Sequence, residues 1–165
     1  RQKKNKNLGV PFYFDVADYF LTWDKDMAFK VISNIAEIAY SNPKALKALA
    51  YKLEEMERLQ EAKFIYERIA KLRPNDSQSF RDLALIYKNT GEFDKSMNLY
   101  KLMITNSIDS VNFKGLEKAI VNELKHLIAF NRSRVDYKDL PSDFTSIKFK
   151  KDLRIEKTKV YSIKI

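Results

Sequence analysis

Between Phe12 and Ile104 the chain repeats itself every 34 residues, most clearly where Asn42–Asp76 is laid against the residues from Asp76 onwards. A period of that length belongs to stacked helical hairpins, each of which buries one face on its neighbour. Within the first clear unit, Leu46, Leu49, Ala50 and Leu53 fall at i, i+3, i+4 and i+7 and share a helical face. Ala62, Ile65, Tyr66, Ile69 and Ala70 form a second stripe, and the polar run 54–58 between them leaves room for a tight turn near Glu57. Asn42 before Pro43 marks a helix start, since the Asn side chain can accept from free amides and Pro suits the first helical position. Pro74 disfavours helix at Arg73 and closes the unit.

At +34, Leu46 becomes Phe80, Leu49 becomes Leu83, Ala50 becomes Ala84, Leu53 becomes Tyr87, Ala62 becomes Ser96 and Tyr66 becomes Tyr100, with Gly91 at the turn. At −34 a degenerate copy places Phe12, Val16, Tyr19, Ala28, Ile32 and Ala36 in the equivalent positions. Small residues are expected where helices cross closely, so Ala50, Ala62 and Ala84 should be buried. The segment Phe113–Phe130 carries Leu116, Ile120, Leu124, Leu127 and Ile128 at helical spacing and reads as a terminal capping helix.

This pattern resembles the tetratricopeptide repeat: Phe80, Leu83, Ala84, Tyr87, Gly91 and Tyr100 carry its signature in one unit, and Ala50, Ala62, Tyr66 and Pro74 in the other. Glu57 and Trp23 stand where the signature has its turn Gly, and Ile108 where it has its last Pro. The resemblance implies a mainly α fold, a solenoid of about 2.5–3 helical hairpins plus a capping helix. It also implies a non-enzymatic, protein- or peptide-binding role, with first-helix residues facing a concave groove. Those positions map to Tyr13, Ala17 and Phe20, then Lys44, Lys47, Tyr51 and Glu54, then Gln78, Arg81, Leu85 and Lys88. Tyr51 occupies the place of the Asn with which some members clamp a terminal carboxylate. Lys44, Lys47, Arg81 and Lys88 could still receive an acidic or phosphorylated segment.

The net charge of +9 raises the question of nucleic acid. Its distribution puts the basicity at the two ends, which leaves binding of nucleic acid or an anionic surface through Lys3, Lys4, Lys6, Lys148, Lys150 and Lys151 as an alternative to the groove. Residues 1–7 hold four basic side chains, and residues 131–165 hold ten basic against five acidic. Subtracting these from the totals of 31 and 22 leaves 17 of each sign in residues 8–130. Nothing here resembles a catalytic or metal centre. His126 is the sole histidine, so its Glu123-x-x-His126 spacing cannot be matched by the second such motif that a di-iron bundle needs. Gly9, Gly91 and Gly115 are too scattered for a phosphate loop, and the absence of cysteine removes thiolate ligands and disulfides. No cofactor is expected.

After Asn131 the period shortens. Ile147 and Phe149 alternate with Lys148 and Lys150, and Tyr161, Ile163 and Ile165 alternate with Ser162 and Lys164, which predicts short β-strands. The sequence therefore divides into a basic tail at 1–9, a helical repeat domain at 10–131, and a linker with a short β segment at 132–165, which is expected to pack on the helices, to pair with another chain or to begin a further β domain. The order of parts, with Leu140-Pro141 and Asp152-Leu153-Arg154-Ile155 after the helices, is similar to the helical segment of large bacterial proteins that join an inter-alpha-trypsin-inhibitor (VIT) domain and a von Willebrand type A domain to such repeats and a C-terminal β domain. That second resemblance implies a cell-envelope location and a spacer role between domains of one parent chain. No apolar run is long enough to span a bilayer, and no signal core opens the sequence at Arg1, so a fragment or mature product is expected.

Overall fold

The computed structural model describes residues 8–140 and 142. The described residues are mainly helical and contain no strand. The elements are α1 (Val10–Leu21), α2 (Lys25–Ser33), α3 (Ile35–Ile38), α4 (Pro43–Glu55), α5 (Leu59–Leu72), α6 (Ser77–Asn89), α7 (Phe93–Ile104) and α8 (Glu117–Asn131). Each packs on its chain neighbour: α1 on α2, α4 on α5, α5 on α6, α6 on α7 and α7 on α8. The strand period read at 147–165 lies outside the described residues.

The helix starts repeat at 34 residues because their caps do. The Asn42 side chain accepts from the amides of Lys44 and Ala45, and the Asp76 side chain accepts from the amide of Ser79. Each satisfies donors that an α-helix leaves free in its first turn. The stops repeat as well. The amide of Arg58 reaches the Leu53 carbonyl at 2.8 Å and that of Glu57 reaches Glu54 at 3.0 Å. The same crossed pair recurs as Glu92 to Tyr87 at 2.8 Å with Gly91 to Lys88 at 3.2 Å, then as Ser107 to Leu102 at 2.9 Å with Asn106 to Met103 at 3.2 Å. This closure needs a left-handed residue, supplied by Glu57 (φ 61°), Gly91 (φ 84°) and Asn106 (φ 51°). Glu57 is the awkward choice, since a Cβ in that region costs about 1–2 kcal/mol. Glu57→Gly is therefore expected to raise stability by about 0.5–1 kcal/mol after the added freedom of the unfolded chain is subtracted. A thermal midpoint that stays put or falls in circular dichroism would contradict this.

Two apolar clusters fill the interior. Residues from α1 to α6, including Ile32, Leu46, Leu49, Ala62, Tyr66 and Leu83, make the first. Ala84, Met97, Tyr100, Met103, Phe113, Ile120, Leu124 and Leu127 make the second, with half-buried Leu99 touching both. Ala50, Ala62 and Ala84 are fully buried, as the small-residue argument requires. At the position equivalent to Ala62, the buried Ser96 hydroxyl donates to the Ala84 carbonyl at 2.8 Å, so a polar group is tolerated at that crossing only with its partner in place.

The degenerate first unit departs from the −34 register. Phe12 and Tyr19, equivalent in sequence to Leu46 and Leu53, are exposed, whereas Val10, Tyr13, Phe14 and Ala17 face the core. Ala17 thus matches Ala50 at a spacing of 33 residues. The local reason is the turn: α1 ends without a left-handed residue, Trp23 and Asp24 both donate to Phe20, and Asp24 then caps α2 through the Met27 amide. The second helix of this unit is also broken. The Asn34 side-chain amide donates to the carbonyls of Lys30 (2.8 Å) and Val31 (3.1 Å), competing with the backbone ladder, and splits α2 from α3.

Candidate functional site

The first helices of successive pairs are joined by a ladder of ion pairs. Lys52 on α4 meets Asp18 on α1 at 2.6 Å and Glu55 on its own helix at 2.9 Å. Lys47, one turn or more before it, meets Asp82 on α6 at 2.7 Å, and Gln78 donates to the same carboxylate at 2.6 Å. Arg81 on α6 forks onto Glu123 on α8: its Nε lies 3.0 and 3.2 Å from the two carboxylate oxygens, and its Nη2 also donates to Oε1. The Tyr100 hydroxyl donates to Glu123 at 3.1 Å. One row of polar contacts therefore ties α1, α4, α6 and α8 together along one side.

These contacts change the electrostatics of the predicted groove. Lys47 loses some stabilisation to partial burial, yet Asp82 outweighs this and raises its pKa. The hydrogen bonds that Arg81 donates to Glu123 raise the Arg81 pKa in the same way. Burial, followed by the nearby Glu123 charge, pushes the Tyr100 hydroxyl up, and burial with Glu54 does so for Tyr66, whose hydroxyl donates to Glu54 at 2.5 Å. All three tyrosine and arginine sites are thus fixed as donors at neutral pH.

The residues read as groove positions fall into three groups. Lys44 and Tyr51 are exposed, Tyr51 with 53% of its surface in water, while Leu85 and Lys88 are half-buried, and neither Lys44 nor Lys88 has an ion-pair partner among the described residues. Lys47, Gln78 and Arg81 lie on the same side but are held by Asp82 and Glu123. Tyr13 and Ala17 turn into the core, Ala17 completely, so the one-residue shift of α1 removes both from the face. Asp18, Lys52, Asp82 and Glu123 are the participants that sequence reasoning did not place on this face. Glu123 drew notice only for its spacing to His126, whose ring instead lies against Phe130 with centroids 4.7 Å apart.

Tyr51 is the most open ring on this face; Lys47 sits 5.7 Å from its centroid and the Tyr66 ring 6.4 Å from it. Cavities of about 370 Å³ at Met103–Val121, 390 Å³ at Leu21–Arg58 and 460 Å³ at Glu67–Tyr87 are lined by other residues. On this face Lys44 and Tyr51 are exposed to solvent. Among the described residues no group of three or more His, Cys, Asp or Glu is placed to hold a metal, and no helix is long and apolar enough to cross a membrane.

Elsewhere in the molecule, Glu92 at the start of α7 accepts from Lys63 at 2.6 Å and from Lys95 at 2.5 Å. These hydrogen bonds, Lys63 first, hold its carboxyl at about 2 against an ordinary 4.5. A depressed carboxylate contributes stability above its unfolded value and loses it as pH falls towards the folded one. The thermal midpoint of the protein should therefore exceed that of Glu92→Gln above about pH 4.5, and the difference should close by about pH 2. A difference independent of pH would contradict the assignment.

Comparison with protein-family models and with curated proteins finds no match for this chain.

Proposed function

We propose that the chain is a non-catalytic interaction module of the tetratricopeptide kind, holding a protein or peptide partner on the face that α4 and α6 share. The observation that supports this most is the ladder Asp18–Lys52, Lys47–Asp82 and Arg81–Glu123, which sets first helices side by side and leaves Lys44, Tyr51, Leu85 and Lys88 directed away from the core. Because Lys47 and Arg81 already hold carboxylates, an acidic segment would have to displace one of them. The partner this surface suits best presents an apolar or aromatic side chain to Tyr51 and Leu85, with acidic groups limited to the edges at Lys44 and Lys88.

The expected result is that Tyr51→Ala with Leu85→Ser reduces capture of the native partner by about tenfold, equivalent to 1.4 kcal/mol, while helical content is unchanged. Undiminished capture by the folded variant would remove the face from consideration. The internal pairing of the ladder also favours a second reading, a structural spacer packed against a neighbouring domain of its parent chain. Binding of nucleic acid or an anionic surface has less support, since residues 8–130 carry equal numbers of basic and acidic side chains.

A further inference from the structure

Helix α1 is apolar on two sides. Its inner side carries Val10, Tyr13, Phe14 and Ala17, its outer side exposes Phe12 and Tyr19, and Trp23 follows in the turn beyond Leu21, with 42%, 68% and 62% of the surfaces of Phe12, Tyr19 and Trp23 in water. The outer rings form a patch: Tyr19 meets Trp23 edge-on at 5.9 Å, and Phe20 lies 4.9 Å from Trp23. Single exposed apolar residues are ordinary, but the mutually touching rings of Tyr19, Phe20 and Trp23, with exposed Phe12 two turns before Tyr19, mark a contact surface, because a free end of a helical array would be polar.

The charges around the patch say what covers it. No Lys, Arg or His occurs from Val10 to Asp24. Asp15 lies one turn from both Phe12 and Tyr19, is exposed, and has no ion-pair partner among the described residues. Several other rings carry a cation: Arg68 sits 3.6 Å from the Tyr40 centroid, Lys63 5.5 Å from that of exposed Phe64 and Lys47 5.7 Å from that of exposed Tyr51. Phe12, Tyr19 and Trp23 have no such cation among the described residues. Aromatic faces beside an unpaired carboxylate attract ammonium and guanidinium groups. On α1 the exposed rings run from Phe12 to Tyr19, about 10 Å or two turns along the axis, and Trp23 extends the row just past the helix end, so a second helix can lie against it.

We propose that the outer face of α1 docks a lysine- and arginine-bearing amphipathic helix of another protein, its cations over Tyr19 and Trp23 and beside Asp15, its aliphatic side chains against Phe12. This surface is separate from the α4–α6 face and its test does not depend on that one. Trp23 is the sole tryptophan and therefore reports locally. A synthetic leucine–lysine amphipathic helix titrated into the protein should change Trp23 emission saturably. Asp15→Lys should weaken that binding by about tenfold with circular dichroism unchanged. The proposal is overturned if Trp23 emission does not respond, if a leucine–glutamate helix binds equally well, or if Asp15→Lys binds like the parent. It is equally overturned by an emission shift that depends on protein concentration alone, which would identify a second copy as the occupant, or by an equal shift with phosphatidylserine vesicles, which would identify a lipid surface.

Discussion

Replacing Leu49 with Ala is expected to lower the unfolding free energy by about 2–5 kcal/mol. Leu49 is fully buried on α4, in the cluster that includes Ile32 and Ile35 from the first unit, Leu53 and Tyr66 from the second, and Leu83 and Ile86 from the third. A cavity there loses contacts with several units together, and the surrounding helices are tied by caps and closures at both ends of α4, which limits collapse into the space. Since domains of this kind are stable by about 5–15 kcal/mol, the variant should be near the threshold of unfolding. Urea unfolding checks this: the midpoint should fall steeply with an unchanged slope, whereas a loss below about 1 kcal/mol would mean that Leu49 does not join the units.

Replacing Glu123 with Ala should cost about 1–3 kcal/mol, more than removal of an ordinary surface ion pair. Glu123 satisfies both the Arg81 fork and the Tyr100 hydroxyl, and Arg81 and Glu123 keep only 25% and 18% of their side-chain surfaces in water. Its loss strands a half-buried cation and a buried hydroxyl together. In a double-mutant cycle with Arg81→Ala, the two substitutions should couple by about 1–2 kcal/mol. Additive effects would show that α8 is held by its apolar side alone, through Ile120, Leu124, Leu127 and Ile128.

Much of the helical scheme was legible because it rests on local chemistry. Asn42 and Asp76 announce helix starts through their own side chains, and the buried set Ala50, Ala62, Ala84, Tyr66 and Tyr100 follows from spacing within single helices. The turn at Glu57 was readable from the polar run, although the sequence gives no hint that a glutamate accepts a left-handed backbone there. The setting of α1 was not readable: without the closure found after α4, α6 and α7, a one-residue shift turned Tyr13 and Ala17 inward and Phe12 and Tyr19 outward. The face was half readable. Lys47 and Arg81 stand out as cations on one side, but their partners lie 35 and 42 residues downstream, and periodicity orders residues within a helix without pairing them between helices.

The most direct test is a backbone amide NMR titration of the 19.4 kDa protein with its captured partner. The expected outcome is a set of shift changes centred on Lys44, Tyr51, Gln78, Leu85 and Lys88. Changes confined to α5, α7 or the loop from 105 to 116, with that set unmoved, would contradict the proposal that the shared α4–α6 face holds the partner.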